Sequence, residues 1–245
     1  MAKTLSRAFL TAEWRFLAML NWGVERSVLA PYVPAGVELD DFNGTFYATV
    51  VGFLFESTRV LGLAVPFHTD FEEVNLRFYV RRRTAGGIRR GVVFVKELVP
   101  RRLIALVARR VYHEKYVAAR MAHEIDFRSD ESPARVVYSW THAGEAGHVR
   151  VSTAPGLVPL AAGSIEEFLA EHYYGYVRQP DGTTREYAVE HPPWKIWPAE
   201  GAGLDADVGS LYDDRFASTL NRPPDVAFLA AGSPVVVRHG IEVPS

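Results

Sequence analysis

The alternation of apolar and polar positions predicts strands along most of the chain. Between Trp14 and Trp22 the period is two, with Trp14, Phe16, Ala18, Leu20 and Trp22 on one face and Arg15, Leu17, Met19 and Asn21 on the other. Phe46 to Phe55 is apolar on both faces, as in a central strand covered on both sides. Phe71–Val80 and Val92–Val99 read as hairpin partners across an arginine-rich tip around Gly86-Gly87. Further strands are predicted near Tyr116–Ile125, Val136–Trp140 and Val149–Thr153. A hairpin of Tyr176–Arg178 with Arg185–Val189 turns over Pro180-Asp181-Gly182, and a last strand covers Val235–Val237.

Helical signals are fewer. Val24–Leu29 makes a short turn before Pro31. Leu103, Ile104, Val107 and Val111 share a face of a helix predicted over Arg101–His113. Ser164-Ile165-Glu166-Glu167 has the form of a capping box opening a helix that reaches about Tyr174. No linker or fixed-period repeat interrupts the chain, so one domain over residues 1–245 is expected, mainly β (α+β), as a barrel or two-layer structure with a few outer helices.

Composition removes several chemistries. The 245 residues include no cysteine, which excludes a thiol nucleophile, thiolate metal sites and disulfides. The net charge of −2 gives no footprint for nucleic acid, and Arg81-Arg82-Arg83 with Arg89-Arg90 reads as a solvated hairpin tip. No stretch has the length of a membrane span, and Glu13 and Arg15 interrupt the N-terminal region, so no signal peptide is read there. A cytoplasmic protein is expected. The eight histidines form no metal-ligating pair, and phosphate loops and dinucleotide fingerprints are absent, so neither metal nor cofactor is expected.

The charged residues set within strands are the candidates for chemistry. Asn75, Arg77 and Tyr79 share one face of their strand. Simple parity puts Lys96 with Val92, Phe94 and Leu98, and Glu97 with Val93, Val95 and Val99. Both faces are apolar, so one of these two charges is buried, where it needs a partner or a ligand. Schiff-base chemistry would need one of the four lysines, Lys3, Lys96, Lys115 or Lys195, and Lys96 is the best placed. Glu171-His172-Tyr173-Tyr174-Gly175-Tyr176 and Val189-Glu190-His191-Pro192-Pro193-Trp194 combine aromatic and polar groups, as core packing or a cavity rim would.

Several stretches resemble the YqjF-like family of uncharacterised bacterial proteins. They are Phe9 to Arg15, Val51 to Phe55, Phe71 to Val80, Val93 to Arg101, Glu171 to Tyr176 and His191 to Trp194. That family looks like part of the acetoacetate decarboxylase-like superfamily, which implies an antiparallel β-barrel with a closed, cone-like interior. Trp14-Arg15, Phe71-Glu72-Glu73 and Lys96-Glu97-Leu98 are similar to decarboxylase segments. Arg101-Arg102 stands where the decarboxylases carry Lys-Lys, and a guanidinium can clamp a carboxylate but cannot form an imine.

The resemblance therefore implies an enzyme acting on a small oxo-acid or related carbonyl compound without the usual lysine. Glu73, Glu97 and Lys96 are its candidate catalytic residues. Arg15, Arg101, Arg102, Tyr79, His172 and Tyr174 are its candidate ligand contacts. A non-catalytic binder of a small organic anion or apolar ligand is the alternative, and an assembly protein with a purely structural polar interior is a third. The expected partner is a small molecule, with neither nucleic acid nor membrane; homo-oligomerisation is left open.

Overall fold

The computed structural model describes residues 7–64, 69–100 and 115–243. Its long strands are β1 (Ala8–Val24), β3 (Phe46–Val60), β5 (Phe71–Thr84) and β6 (Gly87–Val99), with short β2 (Glu38–Leu39) and β4 (Leu63–Ala64) between them. Then follow β7 (Tyr116–Ala118), β8 (Arg120–Phe127), β9 (Pro133–His142), β10 (Glu145–Thr153) and β11 (Val158–Pro159). The chain ends through β12 (Tyr174–Arg178), β13 (Thr184–Glu190), β14 (Lys195–Asp205), β15 (Val226–Arg238) and β16 (Ile241–Glu242). The helix predicted over Arg101–His113 lies outside the described residues.

The path β12-β6-β5-β3-β1-β15-β13 returns to β12 and so forms a closed ring. All its pairings are antiparallel except β6 with β12, which meet in parallel at Val92 and Gly175. Two pairs, Val189 with Val237 and Glu190 with Val236, join β13 to β15. Closure gives the sheet an inside and an outside. Outside, β8, β9, β10 and β14 form a second layer. A methyl on Gly52 of β3 would stand 2.6 Å from the Tyr138 ring and 2.8 Å from Val149, so the two layers are closely packed there. Among the described residues, no helix is long and apolar enough to cross a membrane.

The alternating strand pattern explains this division. On β5, Val74, Leu76, Phe78 and Val80 enter the core between the layers, while Phe71 and Tyr79 join the core of the ring interior. The helix Ile165–Ala170 is capped as the sequence predicts, Ser164 Oγ accepting from the Glu167 amide at 3.2 Å. It ends at Ala170, short of Tyr174, where β12 begins. The arginines of the β5–β6 tip are ion-paired. Arg81 and Arg83 each donate to Glu38 at 3.0 Å, Arg90 lies 3.4 Å from Asp40, and Arg82 and Arg89 converge on buried Glu186.

Strand parity is reset at several places in the ring, and two of the resets decide where the candidate site residues point. Between Arg15 and Ala18 on β1, three steps oppose the two from Leu54 to Gly52 on β3, with Phe16 at φ 52°. This β-bulge puts Trp14 and Leu17 together on the ring interior, whereas Phe16 packs with the outer core, contrary to the uniform alternation predicted across Trp14–Trp22. Gly232 of β15 lies opposite Arg15 at φ +80°, and a Cβ there would stand 2.0 Å from the Trp14 carbonyl oxygen. Gly232→Ala should therefore lower unfolding free energy by about 2–3 kcal/mol, read by denaturant titration. A change near zero would mean that β1 and β15 can separate without loss.

Candidate active site

Inside the ring lies a cavity of about 290 Å³. Its polar wall belongs to β5 and β6. Glu73, Asn75 and Arg77 line it at every second position of β5, and Glu97 lines it from β6. They are 3%, 3%, 7% and 2% exposed, respectively, so each polar group is nearly removed from bulk water.

The second bulge brings Glu97 to this wall. Asn75 pairs with Glu97 and Leu76 with Lys96, but Arg77 pairs with Phe94, so Val95 is the extra residue. Val92 and Phe94 therefore share the cavity face with Glu97 instead of Lys96. Lys96 turns to the opposite side and donates to the Leu211 carbonyl, and burial lowers its pKa.

Glu73 accepts from Asn75 Nδ2 at 2.9 Å and from the Tyr116 hydroxyl at 3.2 Å. Burial nevertheless dominates and pushes its pKa up to about 7, against the opposing effects of those two donors and Arg77. Arg77 donates to the Leu169 carbonyl at 3.3 Å, and its Nε has no partner among the described residues. The guanidinium carbon also lies 5.9 Å from the Tyr79 ring centroid, but among the described residues no carboxylate is ion-paired with it, and a buried cation ordinarily has such a partner. His172 also lines the cavity, and neither of its ring nitrogens has a hydrogen-bond partner among the described residues. Burial, reinforced by Arg77 and Arg90, pushes its pKa well below the usual histidine range, so the imidazole is neutral.

Of the candidates read from the sequence, the structure brings Glu73, Glu97, His172 and Tyr174 to the cavity. It does not bring Lys96, Arg15 or Tyr79 there. Arg15 sits on the bulge, where its side chain is 39% exposed and pairs with Glu13. Tyr79 is buried beneath the site. Its hydroxyl meets Thr49 Oγ1 at 2.6 Å and the Leu169 carbonyl at 3.1 Å, and its ring packs 4.7 Å from His172. Arg101 and Arg102 lie outside the described residues. Arg77 and Asn75, which the sequence places on one strand face with no site role, also line the cavity, as do His191, from a stretch read as core or rim, and Tyr116, for which no role is expected. The first two carry a readable signal, since polar side chains at alternate positions of an otherwise apolar strand share one face with Glu73.

Comparison with known proteins agrees with this architecture. A family model named DUF2071, "Uncharacterized conserved protein (COG2071)", matches residues 11–234. "Uncharacterized protein YqjF" of Bacillus subtilis (strain 168) is 28% identical over 191 residues, covering 76% of this chain and 74% of that protein. Acetoacetate decarboxylase from Legionella pneumophila superposes with a TM-score of 0.67 at 10% identity, covering 99% of this chain and 90% of its own. An acetoacetate decarboxylase-like enzyme from Sphingomonas wittichii RW1 gives 0.65 at 12%, covering 97% and 94%. The enduracididine biosynthesis enzyme MppR complexed with pyruvate gives 0.66 at 13%, covering 98% and 92%. At these identities the solved structures establish an acetoacetate decarboxylase-like fold, and the chemistry has to be argued from this chain's own side chains.

Proposed function

We propose that this chain, which belongs to the DUF2071 family, binds an organic acid bearing a carbonyl group inside its barrel and exchanges a proton at the carbon beside that carbonyl. The observation that carries this reading is the buried Arg77 guanidinium, whose Nε has no partner among the described residues, on the same strand face as a glutamate whose pKa is raised to about 7. A carboxylate would give Arg77 the anionic partner that none of the described residues supplies, through charge-assisted hydrogen bonds. MppR, with the same fold, has been captured with pyruvate, and this supports an acid of that class.

The chemistry follows from the protonation states. With a pKa of about 7, Glu73 is divided between carboxylate and acid near neutrality, so it can both take and return a proton. As carboxylate it removes the proton from carbon. The C–H bond breaks, an O–H bond forms on Glu73, and the electron pair moves to the carbonyl oxygen. Neutral His172 has one N–H to donate to that developing oxyanion. Return of the proton from Glu73 closes the cycle. None of the described lysines lines the cavity, so this route does not call on an imine.

The test is nuclear magnetic resonance of 2-oxo and 3-oxo acids in D2O with the purified protein. Deuterium should enter the carbon beside the carbonyl catalytically, and borohydride added with the acid should leave the protein's mass unchanged. A stable borohydride adduct would overturn the imine-free route. Strong thermal stabilisation by one acid with no deuterium uptake over long incubation would make the barrel a carrier instead.

A further inference from the structure

We infer that the acid held at Arg77 carries an apolar tail of aromatic or longer alkyl size, filling the far end of the cavity. The inference rests on the carboxylate-binding reading above and names the ligand class more narrowly. The charged lining residues all come from β5 and β6, while β1 and β3 line the cavity almost entirely with apolar side chains. On β5 the cavity-lining residues run in the order Phe71, Glu73, Asn75 and Arg77, so Phe71 and Arg77 stand at opposite ends of that wall. From Phe71 to Arg77 the chain runs roughly 20 Å of extended strand.

The Phe71 end is walled by aromatic and aliphatic groups from several strands. Phe55 stacks on Phe71 with centroids 4.6 Å apart, and Trp14 meets Phe55 edge-on at 5.8 Å and Trp194 at 6.2 Å. Val60 and Val237 also line the cavity, as do the polar Thr58 and His191, the latter stacked on Trp194 at 4.3 Å. Phe55, Phe71 and Trp194 line the cavity and yet are buried, as in a preformed ligand pocket.

Size gives a second reason. An apolar cavity of about 150 Å³ in another protein holds benzene. The present cavity, at about 290 Å³, is close to twice that volume and far larger than a three-carbon acid needs. A short acid anchored at Arg77 would leave the aromatic end unfilled. A tail directed along β5 would take apolar surface out of water while the carboxylate stays on the guanidinium.

The experiment is calorimetric titration of the full chain with pyruvate, 2-oxobutanoate, 2-oxohexanoate, 2-oxooctanoate and phenylpyruvate, repeated with Arg77→Gln. Kd should fall about fourfold per added methylene, and phenylpyruvate should bind roughly a hundredfold more tightly than pyruvate. Arg77→Gln should weaken every member by a similar factor. In Val237→Phe, which fills the apolar end, the gain with tail length should stop early in the series. Equal Kd for pyruvate and phenylpyruvate, both weakened by Arg77→Gln, would overturn the tail and leave the carboxylate anchor standing. A tail-length gain that survives Arg77→Gln without loss of affinity would overturn the anchor on which the inference rests.

Discussion

Arg77→Gln should reduce affinity for the bound acid by at least a hundredfold. Two hydrogen bonds from a buried guanidinium to a carboxylate are worth about 1.5–3 kcal/mol each, and glutamine supplies neither the charge nor the fork geometry. The same substitution separates a ligand anchor from a structural cation. Among the described residues, Arg77 hydrogen-bonds the Leu169 carbonyl at 3.3 Å and is 7% exposed, so in the ligand-free protein its burial is poorly compensated. The ligand-free variant should thus melt within a few degrees of the wild type, or above it. A large loss of stability without ligand, with binding retained, would make Arg77 part of the scaffold. Arg77 also holds the Glu73 pKa down, so the variant's Glu73 should titrate at higher pH than in the parent.

Glu73→Gln should slow deuterium exchange by a factor of about a thousand while leaving ligand affinity within a few fold. In the wild type the exchange rate should rise with pH through a midpoint of about 7, as the base becomes ionised, and the variant should show no such rise. Stability gives an independent reading. The folded pKa of Glu73 lies above its unfolded value of about 4.5, so the native protein holds the proton more tightly than the unfolded chain does. This stabilising contribution is full below about pH 4.5 and is lost as pH rises through about 7, a change of about 3 kcal/mol. Glu73→Gln should therefore be close to neutral at pH 4.5 and more stable than the wild type at pH 8. Denaturant titrations at the two pH values measure the difference. A variant equally destabilised at both would show that Glu73 is an ordinary structural carboxylate.

Much of the barrel is legible in the sequence because strand alternation is a local property. The Phe71–Val80 and Val92–Val99 pairing, the capping box at Ser164 and the Tyr176–Arg178 hairpin each follow from a few neighbouring residues. The bulges are not legible, since an extra residue in one strand is visible only against its partner. One at Phe16 separates Trp14 from Ala18 and leaves Arg15 on the surface, and one at Val95 brings Glu97 inward in place of Lys96. Parity alone would keep Lys96 beside Phe94. Strand β14, at Lys195–Asp205, is not predicted because it contains Pro198, Gly201 and Gly203, which weaken a strand pattern; pairing with β10 and β15 holds it. Arg77 stands in plain view on the face of Glu73, but only the closed ring shows that this face encloses a cavity.

The most direct measurement is a crystal structure of the protein with phenylpyruvate bound. Its carboxylate should lie on the Arg77 guanidinium, its methylene carbon within reach of a Glu73 oxygen, and its ring among Trp14, Phe55 and Phe71. A ligand bound outside the barrel, or inside it with the carboxylate away from Arg77, would contradict the proposed site.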